Sequence, residues 1–114
     1  MGILRRAQRL LEHFGLRKRR YWIEWVEEVP DVPEPNVVYA IGNSSPWQAA
    51  LVCPCGCEHL IQLSLLTSDS PRWSLSGQET GLATLHPSVW RTRGCKSHFI
   101  LRQGRISWCN VADR

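Results

Sequence analysis

The sequence predicts a small, mostly β protein of the α+β class, with one antiparallel sheet behind a single amphipathic helix at the N-terminus. Three observations support this fold class. Apolar residues recur at three- and four-residue spacing near the start of the chain. After residue 20, short aromatic and β-branched runs alternate with turn residues. Two cysteine-containing turns, at 53–57 and 95–98, are expected to be joined by a zinc ion that reinforces a small core.

The predicted helix covers residues 3–14, where arginines fall mostly outside the apolar stripe. That stripe consists of Ile3, Leu4, Ala7, Leu10, Leu11 and Phe14. Gly15 is expected to end the helix. The chain is therefore divided into a basic helical arm at 1–20 and one zinc-binding β domain at 21–114.

The net charge of +4 is unevenly distributed along the chain. Residues 1–20 hold seven of the fourteen basic side chains, whereas residues 21–36 hold five acids and no base. The basic arm is interpreted either as a contact for nucleic acid or an anionic membrane, or as a solvated helix face with a charged linker. No apolar run approaches the roughly 20 residues that span a bilayer, and arginines interrupt the apolar start, so a cytoplasmic protein is expected.

The β domain is expected to begin with a strand at 21–29 that the proline-rich segment after it cannot continue. Further strands are predicted at 37–41, 47–52, 59–66, 72–76 and 82–86. Pro87 follows the last of these, and residues 87–94 are interpreted as a connection.

The C-terminal segment is predicted to be a β-hairpin whose two-residue turn is Gln103–Gly104, because glycine accommodates a positive φ. This register pairs Arg102 with Arg105 and places His98 opposite Cys109. Its apolar face comprises Phe99, Leu101, Ile106 and Trp108. The isolated Cys109 is thus expected close to His98 in space.

The two cysteine turns predict a Zn²⁺ site, because cytosolic cysteines in clusters are typical metal ligands and zinc prefers four sulfur or imidazole ligands. Six groups compete for four positions: Cys53, Cys55, Cys57, Cys95, His98 and Cys109. One option is two of the early cysteines with Cys95 and His98. The other is all three early cysteines with Cys95, which would free His98. Inert buried thiols or a disulfide are the alternatives to a metal.

The choice of ligands decides which catalytic chemistry is available. If zinc takes four thiolates, His98 can act as a general base for a hydroxyl, with Ser88 or Ser97 as the candidate nucleophile. If zinc instead keeps a water, Glu58 or Glu79 would be the base for metal-assisted hydrolysis. His59 and His86 are expected to be exposed or packing residues.

Residues 50–110 resemble a family of small bacterial proteins of unknown function. The similarity lies in "CPCGCEHLIQLSLL", "PRWSL", "LHPSVW" and "GCKSHFILRQGRISWC". The resemblance implies a gene neighbourhood with ubiquitin-like proteins and their E1- and E2-like enzymes, in cassettes implicated in phage defence. It further implies a zinc-stabilised peptidase using Ser88 and His98, or a zinc module that recognises the modifier or its target. Glu58 departs from the family, which more often has glycine there.

The alternative function is a non-catalytic zinc module that binds nucleic acid or a protein partner. A local basic group surrounds the second cysteine turn and comprises Arg91, Arg93, Lys96, Arg102 and Arg105. These side chains can contact phosphates, an acidic protein or a carboxylate tail. Most other basic residues lie far upstream of the cysteine turns, which favours the ubiquitin-like pathway over nucleic acid.

Overall fold

The computed structural model describes residues 20–109 of the 114-residue chain. These residues form eight β-strands in two four-stranded sheets and contain no helix. The strands are β1 Trp22–Val26, β2 Val37–Ile41, β3 Gln48–Val52, β4 Leu60–Ser64, β5 Ser74–Ser76, β6 Thr84–Trp90, β7 His98–Arg102 and β8 Arg105–Trp108. The first sheet holds β1–β4 and the second sheet holds β5–β8, each in sequential order.

The first sheet combines one parallel pair with two antiparallel pairs. β1 lies parallel to β2, so the chain must return along the strand length between them. Pro30, Pro33 and Pro35 in this connection cannot donate backbone hydrogen bonds, which keeps the segment out of the sheet. β2 is buried along its whole length, as its apolar sequence VVYAI requires.

The second sheet is antiparallel throughout and ends in the predicted hairpin. Its register pairs Phe99 with Trp108 and Arg102 with Arg105, which confirms the Gln103–Gly104 turn. Both turn residues have positive φ, 48° for Gln103 and 77° for Gly104. A Cβ on Gly104 would lie 3.0 Å from the Tyr21 carbonyl oxygen, so the turn needs glycine for close approach as well as for φ.

One apolar core joins the two sheets. The first sheet and its flanking residues contribute Tyr21, Ile23, Val38, Ala40, Ala49, Leu51, Cys53, Ile61 and Leu63; the second contributes Ala83, Leu85, Val89, Phe99 and Leu101. Backbone hydrogen bonds connect the same regions, since the Tyr21 N–H donates to the Gly104 carbonyl at 2.8 Å and the Ala83 N–H donates to the Tyr21 carbonyl at 3.1 Å. The second sheet is therefore fixed against the start of the first.

The prediction of an α+β fold with one antiparallel sheet is wrong for the described residues, which are all β in two sheets. The number of sheets depends on which distant strands pair, and local spacing carries no signal for the parallel pair β1–β2. The predicted helix at 3–14, with the basic arm at 1–20, lies outside the described residues apart from Arg20.

The interpretation of residues 87–94 as a connection is also wrong in its first half. β6 runs from Thr84 to Trp90 and passes through Pro87. Its pairing with β7 shifts register between Leu85 and Val89. Proline is tolerated at such a β-bulge, because the ladder hydrogen bond it cannot make is already interrupted there. The bulge makes Ser88 a strand residue.

Candidate active site and metal centre

The first cysteine turn connects β3 to β4. It closes at its base, where the Cys53 N–H donates to the His59 carbonyl at 2.8 Å. Gly56, with a φ of 94°, supplies the reversal that turns the chain back. Cys53 is buried at the end of β3, whereas Cys55 and Cys57 are exposed at the tip. The turn thus offers three sulfurs at different depths.

The second cysteine turn connects β6 to β7. The Arg91 N–H donates to the Ser97 carbonyl at 2.7 Å, which closes the turn at the strand ends. Gly94 and Lys96 both have positive φ, at 68° and 54°. Cys95 between them is half-buried. The backbone therefore reverses on either side of Cys95.

The two turns meet at their sulfurs, and the cysteine cluster is formed by Cys53, Cys55, Cys57 and Cys95. All four Sγ atoms lie within 4.8 Å of one another. Cys53 Sγ lies 3.5 Å from Cys55 Sγ and 3.7 Å from Cys95 Sγ. A tetrahedral zinc ion with Zn–S bonds of about 2.3 Å separates its sulfurs by about 3.8 Å. The cluster can hold a metal ion, and its spacing fits this geometry.

The described cysteines are all free thiols, so the disulfide alternative is not what the structure contains. The sulfurs that gather are those of the second sequence option, in which three early cysteines act with Cys95. Cys109 donates its backbone N–H to the His98 carbonyl at 2.8 Å, as the hairpin register predicted, but its sulfur is not part of the cluster.

Two side chains place hydrogen-bonding groups against the cluster. Ser97, which is 1% exposed, has its Oγ 3.1 Å from Cys95 Sγ and 3.6 Å from Cys53 Sγ. The Arg91 guanidinium donates to Cys95 Sγ at 3.0 Å and to Cys57 Sγ at 3.5 Å. Hydrogen bonds and a nearby cation stabilise thiolate charge, which four-sulfur metal binding requires.

These contacts divide the thiols by acidity. Burial raises the pKa of Cys53 to about 11. Burial also acts to raise the pKa of Cys95, but hydrogen bonds with the side chain and backbone of Ser97 and with Cys55 and Cys53 together outweigh it and lower that pKa to about 6. Hydrogen bonding to Ser97 is the main cause that lowers the pKa of Cys55. The thiolate form is therefore favoured at the exposed Cys55 and the half-buried Cys95 and disfavoured at the buried Cys53.

The His98 side chain contacts Ser88 and Trp90, and His98 is not one of the four cluster residues. Its Nε2 is 3.0 Å from Ser88 Oγ, which is hydrogen-bond distance for a nucleophile and its base. The Trp90 indole stacks on the imidazole with ring centroids 5.0 Å apart and an interplanar angle of 16°. Trp90 and His98 are direct cross-strand partners in β6 and β7. The ring of His98 is thus held between a hydroxyl and an aromatic face.

Strand alternation explains why these three side chains meet. Val89 and Phe99 are paired and buried, so their neighbours point to the opposite face of the second sheet. Trp90 lies directly across from His98, and Ser88 lies diagonally across on the same face. This outer face is the one directed away from the core. Ser88 and His98 are both half-buried on this face, and Trp90 beside them is 63% exposed.

Trp73 and Ser74, at the start of β5, support the backbone of the bulge that carries Ser88. The Trp73 indole Nε1 donates to the Ser88 carbonyl at 3.2 Å, and the Trp73 backbone N–H donates to the Ser64 carbonyl at 2.8 Å. Ser74 Oγ donates to the His86 carbonyl at 3.5 Å. Trp73 thereby ties the Ser88 backbone to the end of β4 in the first sheet.

The remaining sequence candidates have other surroundings. Glu58 and Glu79 are exposed and do not belong to the cysteine cluster. The side chains of His59 and His86 are exposed, as expected from the sequence.

Two contacts were missed by sequence reasoning. The stack of Trp90 on His98 and the sulfur contacts of Arg91 both fall in the segment 87–94 that was interpreted as a connection. A period of two through Ser88 and Trp90, continued past the proline, was the available signal for the first contact. The reach of Arg91 depends on how the turn folds and has no local signal.

Comparison with known proteins is informative for this chain. The family model of BubE, the bacterial ubiquitination-like system serine protease, matches residues 25–109, which include Ser88, His98 and the whole cysteine cluster. Curated proteins and solved structures give no match. No helix among residues 20–109 is long and apolar enough to cross a membrane. Because the match spans well over half of its 114 residues, this chain belongs to the BubE family of bacterial ubiquitination-like system serine proteases.

Proposed function

We propose that this chain is a serine peptidase that processes or removes the ubiquitin-like modifier of its bacterial system. Ser88 is the nucleophile and His98 its general base. A zinc ion bound by the cysteine cluster stabilises the fold around them. The observation that carries the proposal is the 3.0 Å contact between Ser88 Oγ and His98 Nε2 in a chain of a serine protease family.

The chemistry follows from this contact. His98 Nε2 accepts the Ser88 proton, which requires the tautomer that carries its own proton on Nδ1. Ser88 Oγ then bonds to the carbonyl carbon of the substrate, and the proton on Nε2 passes to the leaving amine as the C–N bond breaks. Water hydrolyses the resulting ester with His98 again acting as base, which releases the carboxylate product and restores the serine.

The stack of Trp90 supports the base role of His98. A ring held at 16° against an exposed indole loses rotational freedom, so Nε2 stays directed at Ser88 between turnovers. Proximity of base and nucleophile before substrate arrives lowers the entropic part of the barrier.

A cavity of about 740 Å³ next to the bulge offers room for the substrate chain. Its wall includes Arg72, Trp73, His86 and Pro87, the last of which directly precedes Ser88. Cavities of this volume are typical of ligand sites. We propose that it receives residues next to the scissile bond.

The metal has a structural role in this proposal. With all four coordination positions filled by sulfur, bound zinc would supply a cross-link between the two turns and no open position for a water. Cys95 and Ser97 lie in the turn between β6 and β7, which are the strands that carry Ser88 and His98. The cross-link thus fixes the base of the hairpin on which the catalytic pair is built.

The proposed partners are the ubiquitin-like protein and the E1- and E2-like enzymes of the same system, and the proposed compartment is the cytoplasm. A family of ubiquitination-like system proteases supports the first. The second follows from the chemistry of four clustered thiols, which remain available to a metal in a reducing compartment.

Two assays, covalent labelling of the serine and cleavage of a protein precursor, test the proposed role of Ser88. The wild-type chain is expected to react with a fluorophosphonate reagent, which modifies activated serines, and to cleave the precursor of the ubiquitin-like protein encoded beside it. Ser88→Ala is expected to abolish labelling and to lower kcat/KM for the precursor by roughly 10³-fold or more, with zinc content unchanged. The matched control is Ser44→Ala, an exposed serine between β2 and β3 of the first sheet, which should retain both activities.

The serine mechanism is wrong if Ser88→Ala cleaves the precursor at the wild-type rate. Loss of labelling and cleavage in Ser44→Ala as well as in Ser88→Ala would point to a general effect on the fold instead of a nucleophile. Peptide mapping of the labelled residue distinguishes these outcomes directly.

A further inference from the structure

The outer face of the second sheet carries more than the catalytic pair. Phe99 and Leu101 of β7 are fully buried, so the residues that alternate with them point outward. On β7 these are His98, Ile100 and Arg102. The hairpin register places Arg105 directly opposite Arg102 on the same face. Two guanidinium groups therefore share the surface on which His98 meets Ser88.

The charge of this part of the chain is of one sign. Residues 82–109 contain five basic side chains and no acid, namely Arg91, Arg93, Lys96, Arg102 and Arg105. Residues 21–36 contain five acids and no base. The strands β6, β7 and β8 thus form a basic unit that contains Ser88 and His98.

The pairing of Arg102 with Arg105 is electrostatically unfavourable for the second sheet. Like charges on directly opposite strand positions repel and destabilise a hairpin. Both side chains are exposed, and no carboxylate among the described residues forms an ion pair with either. An acidic group from another molecule would relieve the repulsion and gain two charge-assisted contacts.

We propose that the outer face of the second sheet is the docking surface for the protein substrate, and that an acidic segment of this substrate binds Arg102 and Arg105. This inference rests on the proposed function, because it takes the molecule cleaved at Ser88 as the occupant. A protein is favoured over nucleic acid because the same face presents a serine–histidine pair and the exposed Trp90.

The strand spacing gives the position of the acidic segment. Arg102 lies four residues beyond His98 along β7, which corresponds to about 13 Å at roughly 3.3 Å per residue. An extended substrate running along β7 covers this distance with about four residues. The acidic residues are therefore expected about four positions from the scissile bond.

The experiment uses Arg102→Glu/Arg105→Glu with the precursor of the neighbouring ubiquitin-like protein. Cleavage is expected to fall at least tenfold in kcat/KM at about 50 mM salt, mainly through KM, and the defect should shrink near 500 mM salt because ions screen exposed charges. Labelling by the fluorophosphonate should be unchanged, since that reagent is too small to need the docking surface. Arg17→Glu/Arg19→Glu is the control with the same change in net charge, outside the described residues.

A binding assay between the Ser88→Ala variant and the precursor distinguishes failure of this inference from failure of the proposed function. Ser88→Ala should bind the precursor, and adding Arg102→Glu/Arg105→Glu should weaken that binding at least tenfold. If wild type neither labels nor cleaves but binding still depends on the arginines, the surface stands and the peptidase proposal falls. Unchanged or absent binding overturns the surface. Arginine-dependent binding of a DNA duplex without precursor binding also overturns it and assigns the face to nucleic acid.

Discussion

The cysteine cluster and the Ser88–His98 pair lie on opposite sides of one hairpin. Ser97 and His98 are consecutive residues, yet Ser97 is buried against two sulfurs while His98 points outward to Ser88. Across the turn, Arg91 donates to sulfur and its neighbour Trp90 stacks on His98. The period of two in a β-strand therefore directs one of two consecutive side chains to the cysteine cluster and the other to the Ser88–His98 contact.

Loss of the cluster and loss of the Ser88–His98 contact should affect each other unequally. The cluster joins two loops from two sheets, so its loss should disturb the register of β6 and β7 and with it the contact between Ser88 and His98. Ser88 and His98 lie on two paired strands of the second sheet and are not among the four cluster residues, so replacing either side chain should leave the cluster intact. Substitutions on each side of the hairpin test this asymmetry.

The largest effect is expected from Cys53→Ser, which removes the buried sulfur from the cluster. A structural zinc site contributes its binding free energy to folding, so we expect a loss of about 3 kcal/mol or more and a Tm lower by ~12 °C or more. Precursor cleavage should disappear together with the bound zinc. Metal analysis and thermal unfolding of the same preparation measure both losses.

The matched control is Cys109→Ser, which removes a half-buried sulfur that is outside the cluster. This variant should keep stoichiometric zinc and a Tm close to wild type. If Cys53→Ser keeps its zinc and its stability, the cluster is not the metal site. If Cys109→Ser loses zinc, a fifth sulfur belongs to the site and the described geometry is incomplete.

The second-largest effect is expected from His98→Gln, which tests whether the cluster survives when the Ser88–His98 contact is lost. His98→Gln removes the base from Ser88 but keeps a polar side chain of similar length, so kcat/KM should fall by roughly 10³-fold. Zinc content and Tm should stay near wild type, because the four sulfurs of the cluster gather without His98. Loss of zinc in this variant would instead make His98 a ligand, as the first sequence option had it. Metal analysis beside the kinetic assay decides between these outcomes.

The features that the sequence predicted correctly are those set by short-range geometry. The register of the β7–β8 hairpin follows from a two-residue turn at Gln103–Gly104, which places the apolar residues Phe99, Leu101, Ile106 and Trp108 on one face. The meeting of the two cysteine turns was also expected, but the choice among six candidate ligands was left between two options, and the sulfurs that gather are those of Cys53, Cys55, Cys57 and Cys95. A few adjacent residues determine the hairpin, whereas that choice depends on how two distant turns approach each other.

The features that sequence reasoning missed depend on distant pairing. Nothing local in β1 shows that it lies parallel to β2, and nothing local shows that β4 and β5 belong to different sheets, so one antiparallel sheet was predicted. Pro87 normally ends a strand, and only the bulge opposite β7 lets β6 continue to Trp90. That single misplacement hid the geometry that brings Trp90 to His98.

A smaller effect is expected from Ser97→Ala on the metal side. The buried Ser97 hydroxyl lies near two sulfurs, and removing such a partner typically weakens metal affinity by about 10- to 100-fold. The pKa of Cys95 should rise from about 6, because the Ser97 side-chain hydrogen bond, one of several contacts that lower it, is lost. Competition with a chromophoric chelator measures the affinity. Cleavage with excess zinc should be close to wild type, and a large kcat loss there would assign Ser97 to catalysis.

The smallest effect is expected on the catalytic side, from Trp90→Ala. The stacked pair Trp90–His98 contributes on the order of 1 kcal/mol, so losing it should lower kcat by roughly 2- to 10-fold with zinc unchanged. Trp90→Phe retains an aromatic face and should recover most of this loss, which a role in substrate contact alone would not require. If Trp90→Ala raises KM without changing kcat, the indole binds substrate and does not orient His98. Because Trp90 is 63% exposed, its replacement tests orientation without opening a cavity in the core.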